Sequence, residues 1–190
     1  MGVQPVFYYD FASPDAYLAA ERVVHVLGEV PEWQPVRVDG LAAGGVGGFR
    51  CAEEETIYRE DVEARAAAYA LQALRWPDPF PFDSLAALLA ATYAKQIGRV
   101  VAFSLAAFRQ AYAGGRDLGE RDSVLLAGAA CELHPAALIK GIELGATAER
   151  LEAATADAAA AGVLDVPAVR VEGRVFHGDR ELGAAAAALA

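Results

Sequence analysis

Ser13 is the residue whose type and surroundings most clearly suggest chemistry in this sequence. It follows Val3–Tyr9, a β-branched and aromatic run typical of a strand, and precedes Pro14, which suits the first position of a helix. At such a corner the hydroxyl and the free N–H groups of the first helical turn favour an anion. Comparable helix N-termini lower a cysteine pKa from about 8.5 to between about 3.5 and 7.5, so a thiolate is a suitable guest. Alternatively, Ser13 only caps the helix, a common role worth about 1 kcal/mol.

Two segments near the C-terminal end suggest a site for a peptide-like ligand. Pro167 opens a predicted strand, and a cis bond before it would leave the backbone of Val166 free to pair with an extended chain. Gly178 and Asp179 precede the last predicted helix, where N–H groups suit a carboxylate and the Asp179 side chain suits an ammonium group. His177 beside this turn could transfer protons, although a hydrogen-bonded structural histidine is the simpler interpretation.

The cysteines and histidines argue against redox and metal chemistry. Cys51 and Cys131 lie far apart and form no CxxC motif, and the corner itself reads Ser13-Pro14-Asp15-Ala16 rather than Cys-x-x-Cys. We therefore expect both thiols to be small apolar residues rather than a redox pair. The three histidines are scattered without a carboxylate cluster, so no metal site is expected.

Composition and charge narrow the class of protein. The 190 residues suit one domain, or one domain with an insertion, and 55% hydrophobic residues exclude a disordered chain. A net charge of −10 disfavours nucleic-acid binding and favours a small-molecule partner. The start lacks a signal-peptide pattern, and no apolar run reaches the roughly 18 residues of a membrane span. These features predict a cytoplasmic protein without membrane attachment.

Strands are predicted at both ends of the chain and helices between them. The N-terminal part is typical of two parallel strands joined by a helix, with bounds Val3–Tyr9, Pro14–Leu27 (closed by Gly28) and Trp33–Val38. Gly44–Gly48 is predicted as a flexible linker or a mobile lid, and Trp76–Pro81 cannot be helical because it holds three prolines. The middle is predicted as helices over Glu54–Leu74, Asp83–Gln96 with Asp83 as cap, Arg99–Ala113, Asp122–Glu132, Pro135–Leu144 and Thr147–Ala161. The end is predicted as a hairpin and a helix: Ala168–Val171, Arg174–Phe176 and Arg180–Leu189.

This order of elements predicts an α/β fold whose core is split by an inserted all-helical domain. The core comprises residues 1–42 and 160–190, and the helical insertion comprises residues 43–159. We expect the ligand site between them, at the N-terminal ends of the first and last helices.

The stretch from Phe7 to Ala19, which reads Phe-Tyr-Tyr-Asp-Phe-Ala-Ser-Pro-Asp-Ala-Tyr-Leu-Ala, resembles the 2-hydroxychromene-2-carboxylate isomerase family. That family is related to the kappa-class glutathione transferases within the DsbA-like thioredoxin group, and the order of elements agrees with it along the whole chain. The resemblance implies a thioredoxin-like core in which Ser13 contacts the sulfur of glutathione. It also implies that the backbone of Val166, before a cis Pro167, pairs with the glutathione peptide.

The resemblance places the γ-glutamyl end of glutathione at the turn His177, Gly178, Asp179 and Arg180. The family often reads Trp-Gly-Asn-Asp-Arg-Leu there, whereas this chain reads His-Gly-Asp-Arg-Glu-Leu. This difference from the family pattern affects the implied contacts with glutathione more than it affects the predicted fold.

The activity implied by the resemblance is a glutathione-dependent cis–trans isomerisation of an aromatic substrate like 2-hydroxychromene-2-carboxylate. The thiolate of glutathione, or of another low-molecular-weight thiol, adds to a conjugated double bond, and elimination follows rotation about the resulting single bond. The protein then needs a slot for a flat ring and a cation for the carboxylate. Candidates for the slot are Tyr17, Trp76, Phe80 and Tyr93, and candidates for the carboxylate are Arg37 and Arg50.

Two alternatives stay open. A kappa-like glutathione transferase would release the thiol conjugate instead of eliminating the thiol. A redox-inactive thioredoxin-like module would bind an extended peptide or a partner protein along Val166. A homodimer is common in the family, although the sequence does not indicate which residues would form the interface.

Overall fold

A four-stranded mixed sheet forms the centre of the protein in a computed structural model that describes residues 4–189. The strands are β1 (Val6–Tyr9), β2 (Glu32–Pro35), β3 (Ala168–Val171) and β4 (Arg174–His177), in the spatial order β2-β1-β3-β4. β1 pairs in parallel with β2 and antiparallel with β3, and β3 pairs antiparallel with β4. The predicted parallel start and C-terminal hairpin are therefore confirmed. Val3, where the first strand is predicted to begin, lies outside the described residues.

The first predicted helix is two helices, α1 (Pro14–Ala20) and α2 (Val23–Leu27), so the prediction of one helix is wrong. The chain turns between them at Arg22, whose guanidinium donates to the carbonyl oxygen of Asp179 (3.3 Å) and stacks on the ring of Tyr69. Because tertiary contacts accompany this break, no glycine or proline marks it in the sequence. Gly28 ends α2 in the left-handed conformation (φ 73°), as predicted.

Six helices lie between β2 and β3, in the stretch predicted as the helical insertion. They are α3 (Ala52–Ala68), α4 (Leu85–Gln96), α5 (Val100–Tyr112), α6 (Arg121–Ala130), α7 (Pro135–Glu143) and α8 (Gly145–Ala160). The prediction that α3 runs to Leu74 is wrong. Ala70 adopts a positive φ of 56°, and the N–H of Leu71 donates to the carbonyl oxygen of Ala66 (2.9 Å). This is the helix ending that usually contains glycine, and an alanine in its place is invisible to the sequence pattern.

Three other boundaries differ from the predictions for local reasons. β2 ends before Val38, because the Val38 N–H donates to the Asp10 carboxylate (2.9 Å) and a short 3-10 turn follows. α4 is capped at Ser84, although the Asp83 carboxylate does accept the Leu85 N–H (2.9 Å). The last helix, α9 (Leu182–Ala187), begins after a 3-10 turn at Asp179–Glu181.

β1 is buried on both faces, which places its end inside the protein. Phe7 and Tyr9 join the large apolar cluster shared with the helices, whereas Val6 and Tyr8 join a smaller cluster on the opposite face. This division follows the two-residue period of a strand.

α5 packs its aromatic face on the end of β1 and on α1. The rings of Phe11 and Phe108 lie 4.8 Å apart, and those of Tyr17 and Tyr112 stack at 5.5 Å. The helical block and the sheet therefore share one core, and that core holds the strand-to-helix corner at Ser13 in place.

Candidate functional site

Ser13 caps α1 as predicted. Its backbone is extended (φ −88°, ψ 114°), and its Oγ accepts a hydrogen bond from the Ala16 N–H (3.2 Å). The Ser13 hydroxyl donates to the carbonyl oxygen of Val166 at an oxygen–oxygen distance of 3.5 Å, a long contact for a hydroxyl donor. Ser13 is buried, yet its donor is only weakly used.

Two side chains fix the corner that carries Ser13. The Tyr112 hydroxyl lies within hydrogen-bond distance of the carbonyl oxygens of Phe11 (2.9 Å) and Ala12 (2.8 Å). The Asp10 carboxylate accepts the Ala12 N–H (3.0 Å) and the Ser84 hydroxyl (2.6 Å). Burial raises the pKa of Asp10, while these hydrogen bonds oppose the rise. The corner is thus held from both the sheet and the helical block.

α1 is shorter than the sequence predicts, which changes what stabilises an anion beside Ser13. The helix has seven residues, and the N–H groups of Ala16 and Tyr17 already donate to Ser13. A smaller helix field is therefore available than a fourteen-residue helix would give, so the hydroxyl is the main donor at this place.

Two neighbouring cavities open beside this corner. The Ser13 cavity measures about 200 Å³ and is lined by Ser13, Asp15, Gly45, Val46, Gly47, Phe49, Tyr58, Asp165 and Val166. The Asp10 cavity measures about 430 Å³ and is lined by Asp10, Ala12, Arg37, Val38, Asp39, Gly45, Val46, Pro81, Phe82, Asp83, Ser84, Leu85 and Leu88. Gly45 and Val46 line both, so the two cavities adjoin each other at the glycine-rich segment. This placement is compatible with the predicted lid role and gives the segment more than a linking function.

Two carboxylates, those of Asp15 and Asp165, line the Ser13 cavity, and they differ in the partners that they contact. Asp15 forms an ion pair with Arg65 (2.6 Å) and accepts the Tyr58 hydroxyl (2.8 Å). Asp165 accepts the N–H of the adjacent Val166 (2.7 Å) and forms no ion pair within the described residues. Burial raises the pKa of Asp165, and burial likewise raises the pKa of Tyr58.

The Val166–Pro167 bond is cis, as the resemblance implies. The ladder between β1 and β3 ends at the pair Tyr8 and Ala168, so the backbone of Val166 lies beyond the sheet and faces the Ser13 cavity. Its N–H is nevertheless not free, because Asp165 already accepts it.

Asp179 is buried and turned toward the protein, not toward a ligand. Its carboxylate accepts hydrogen bonds from Arg65 (2.5 Å) and Tyr69 (2.9 Å), and the guanidinium of Arg22 lies 3.8 Å away. The expectation that this carboxylate meets an ammonium group therefore conflicts with the geometry, since three partners already satisfy it. These partners could not be predicted from the sequence, because Arg65 lies on α3, far from Asp179 along the chain.

The remaining residues of the C-terminal turn also have internal partners. The Gly178 N–H donates to the carbonyl oxygen of Pro167 (2.8 Å), with a positive φ of 85° at Gly178. The His177 Nε2 accepts the Leu164 N–H (3.0 Å), which supports the structural interpretation of this histidine. Arg180 is exposed and pairs with Asp61 (2.8 Å).

The predicted substrate residues are dispersed. Tyr17 is buried and lines neither the Ser13 cavity nor the Asp10 cavity, but a separate cavity of about 400 Å³ that it shares with Glu21 and Arg109. Arg50 is exposed and pairs with Glu54, and it lines neither cavity. Tyr93 packs its ring on Gly141, between α4 and α7. The sequence could not predict where Tyr17 and Tyr93 lie, because an aromatic residue shows the same pattern in a core and in a pocket.

Arg37 and Trp76 do lie near the two cavities. Arg37 lines the Asp10 cavity, where it pairs with Asp39 (2.6 Å) and Glu152 (2.7 Å). The Trp76 ring contacts Phe80 at 4.9 Å and lies 6.4 Å from the ring of Tyr58. Trp76 thus supports the wall of the Ser13 cavity from behind.

Across residues 4–189 there is no group of three or more histidine, cysteine, aspartate or glutamate side chains arranged to hold a metal ion. Within the same range no helix combines the length and apolar character needed to cross a membrane.

Comparison with known proteins assigns the fold. Residues 6–190 match the family model described as the DSBA-like thioredoxin domain. The chain superposes on a 2-hydroxychromene-2-carboxylate isomerase with a TM-score of 0.86 and 19% identity, covering 98% of this chain and 94% of that one. A probable DsbA oxidoreductase from Streptomyces coelicolor gives 0.77, with 22% identity and coverage of 98% and 88%. The cytosolic disulfide reductase DsbM from Pseudomonas aeruginosa gives 0.65, with 20% identity and coverage of 98% and 97%, and that reductase is also known with GSH.

No curated protein matches the sequence significantly. The structural matches confirm the predicted thioredoxin-like α/β fold with added helices.

Proposed function

We propose that this chain, which belongs to the family of DSBA-like thioredoxin domains, is a thiol-dependent isomerase of a conjugated aromatic carboxylate. The substrate would resemble 2-hydroxychromene-2-carboxylate, and the cofactor would be glutathione or another low-molecular-weight thiol. The observation that carries this proposal is the identity of Ser13, which stands where a thioredoxin-type oxidoreductase needs its cysteine.

The residues at the corner suit a bound sulfur atom. The Ser13 hydroxyl makes only a 3.5 Å contact to Val166, so little is lost when it turns to donate to a sulfur anion in the Ser13 cavity. The γ-glutamyl contact does not fit equally well, because Asp179 is already satisfied by Arg65, Tyr69 and Arg22. The fit therefore supports a thiol cofactor more strongly than it supports glutathione itself.

When bound, the thiol would supply a nucleophile that adds to the conjugated double bond and is eliminated after rotation about the resulting single bond. The protein contributes the Ser13 donor, which stabilises the sulfur anion before addition and after elimination. The Asp10 cavity is the place for the flat substrate, since Phe82, Leu88 and Val46 offer apolar contacts. Arg37 at the same cavity is the candidate partner for the substrate carboxylate, in competition with Asp39 and Glu152.

Disulfide exchange is less compatible with these residues. The position that caps α1 is Ser13, and the position three residues later is Ala16. Cys51 is exposed, Cys131 is buried, and neither belongs to the described lining of the Ser13 cavity. A dithiol reaction at this corner lacks its nucleophile.

Thermal unfolding with and without a thiol tests the proposal. Ser13→Ala removes the donor, and Ser123→Ala removes a buried hydroxyl of α6 that lines neither cavity. A ligand present at one hundred times its dissociation constant stabilises the native state by about 2.7 kcal/mol, which a melting curve resolves. We expect millimolar thiol to raise Tm of the wild type and of Ser123→Ala, and to raise Tm of Ser13→Ala much less. An equal rise in all three proteins, or no rise with any thiol, would contradict the proposal.

A further inference from the structure

Val166 offers a backbone edge at the Ser13 cavity, beyond the end of the sheet ladder. Its carbonyl oxygen is approached only by the Ser13 hydroxyl at 3.5 Å, and its N–H is taken by the Asp165 carboxylate at 2.7 Å. An extended ligand that adds to a backbone edge needs both a donor and an acceptor there. The acceptor is available at Val166, and the donor is not.

Asp165 also sets the charge of the Ser13 cavity. The charged and titratable groups that face it are Asp15, Tyr58 and His177, and Asp15 is compensated by Arg65. Arg65 in turn also contacts Asp61 and Asp179, so its single positive charge is shared among three carboxylates. The Asp165 carboxylate therefore lies beside the Ser13 cavity without an ion pair among the described residues, and His177 is the group of possible positive charge that faces it.

We propose that Asp165 is a specificity-determining residue that selects against anionic peptide thiols and in favour of small uncharged thiols. This inference rests on the proposed thiol-dependent function and refines its cofactor. A peptide thiol such as glutathione presents an amide carbonyl that must displace the Asp165 carboxylate from the Val166 N–H. Besides the sulfur anion that every bound thiol presents, glutathione also brings carboxylates to a cavity in which Asp165 forms no ion pair. A small thiol without an amide or a carboxylate meets neither of these two obstacles.

Two variants of Asp165 separate the hydrogen bond from the charge. Asp165→Ala frees the Val166 N–H and removes the charge, whereas Asp165→Asn removes the charge but keeps an oxygen that can accept the N–H. Asp157→Ala on α8 is the matched control, because Asp157 is exposed and lines neither cavity. The readout is the dissociation constant for glutathione and for 2-mercaptoethanol, measured by calorimetry.

We expect Asp165→Ala to bind glutathione about tenfold more tightly than the wild type, since a charge-assisted hydrogen bond no longer has to be broken. Asp165→Asn should gain less, Asp157→Ala should not change, and 2-mercaptoethanol should bind all four proteins within about threefold. Unchanged or weaker glutathione binding by Asp165→Ala would overturn the inference.

The two proposals fail in distinguishable ways. If the thiols bind in a Ser13-dependent manner but removal of the Asp165 side chain leaves glutathione binding unaltered, only the role of Asp165 is overturned. If no thiol binds any of the variants, the thiol-dependent function fails and the role of Asp165 fails with it.

Discussion

The hydroxyl of Ser13 lies 3.5 Å from the carbonyl oxygen of Val166, although the two residues are 153 positions apart in the sequence. They meet because β1, which leads to Ser13, and β3, which follows Val166, are neighbours in the sheet. The helical block adds the third wall through Tyr58, which donates to Asp15 on α1. The candidate site is thus assembled from both ends of the chain and from the helices between them.

Ser13→Ala should lower turnover by at least about tenfold, because the developing sulfur anion loses its hydroxyl donor. The cost in stability should be only about 1 kcal/mol, the usual value for loss of an N-cap. Steady-state kinetics and urea unfolding, with Ser123→Ala as the matched variant, separate the two effects. Unchanged kinetics in Ser13→Ala would remove this residue from the reaction.

Asp179→Asn should destabilise the fold by about 3 kcal/mol, because a buried charge network loses its central carboxylate. Asp61→Asn is a fitting control, since Asp61 also pairs with Arg65 but is about half exposed, and we expect it to cost less than about 1 kcal/mol. Urea midpoints at pH 7 provide the comparison. If Asp179→Asn keeps wild-type stability and instead loses thiol affinity, the carboxylate is a ligand and not a structural centre.

Alkylation of both cysteines should leave the activity intact. Cys51 is exposed and should react quickly, whereas burial raises the pKa of the Cys131 thiol and should slow its reaction. Mass spectrometry follows the modification, and Cys51→Ser provides a variant that reports on Cys131 alone. A large loss of activity that tracks modification of Cys51 would show that this thiol takes part in function.

The pH dependence of stability should carry the signature of Asp10. Burial raises the pKa of this carboxyl in the folded state, so its contribution to stability is present at low pH and is lost as pH rises through the folded pKa. The free energy of unfolding of the wild type, relative to Asp10→Asn, should therefore fall as pH rises above about 4, the ordinary pKa of this carboxyl. Urea titrations at several pH values measure this difference, and a difference that grows with pH would show that the hydrogen bonds from Ala12, Val38 and Ser84 outweigh burial.

The sequence predicted those features whose signals are local. The Ser13 cap, the Pro14 helix start, the Gly28 helix end and the C-terminal hairpin all follow from residue types at fixed positions, and the structure has each of them. The break at Arg22 and the end of α3 at Ala70 escaped prediction, because tertiary contacts and an alanine with positive φ leave no pattern.

The candidate site could be predicted only in part for the same reason. Ser13 and Val166 were accessible from the strand-to-helix corner and the Val-Pro pair. The contact of Arg65 with Asp15 and Asp179 joins three separate segments, so nothing in the spacing indicates it. Asp165 was visible beside Val166, but its role depends on a hydrogen bond that only the folded backbone creates.

The most direct test of the account is the rate of cis–trans interconversion of 2-hydroxychromene-2-carboxylate, followed by absorbance with and without added thiol. The account predicts a rate that requires a catalytic amount of thiol, consumes none of it, and falls at least about tenfold in Ser13→Ala. A rate that is independent of thiol or equal in Ser13→Ala, or the absence of any rate, would contradict the assignment.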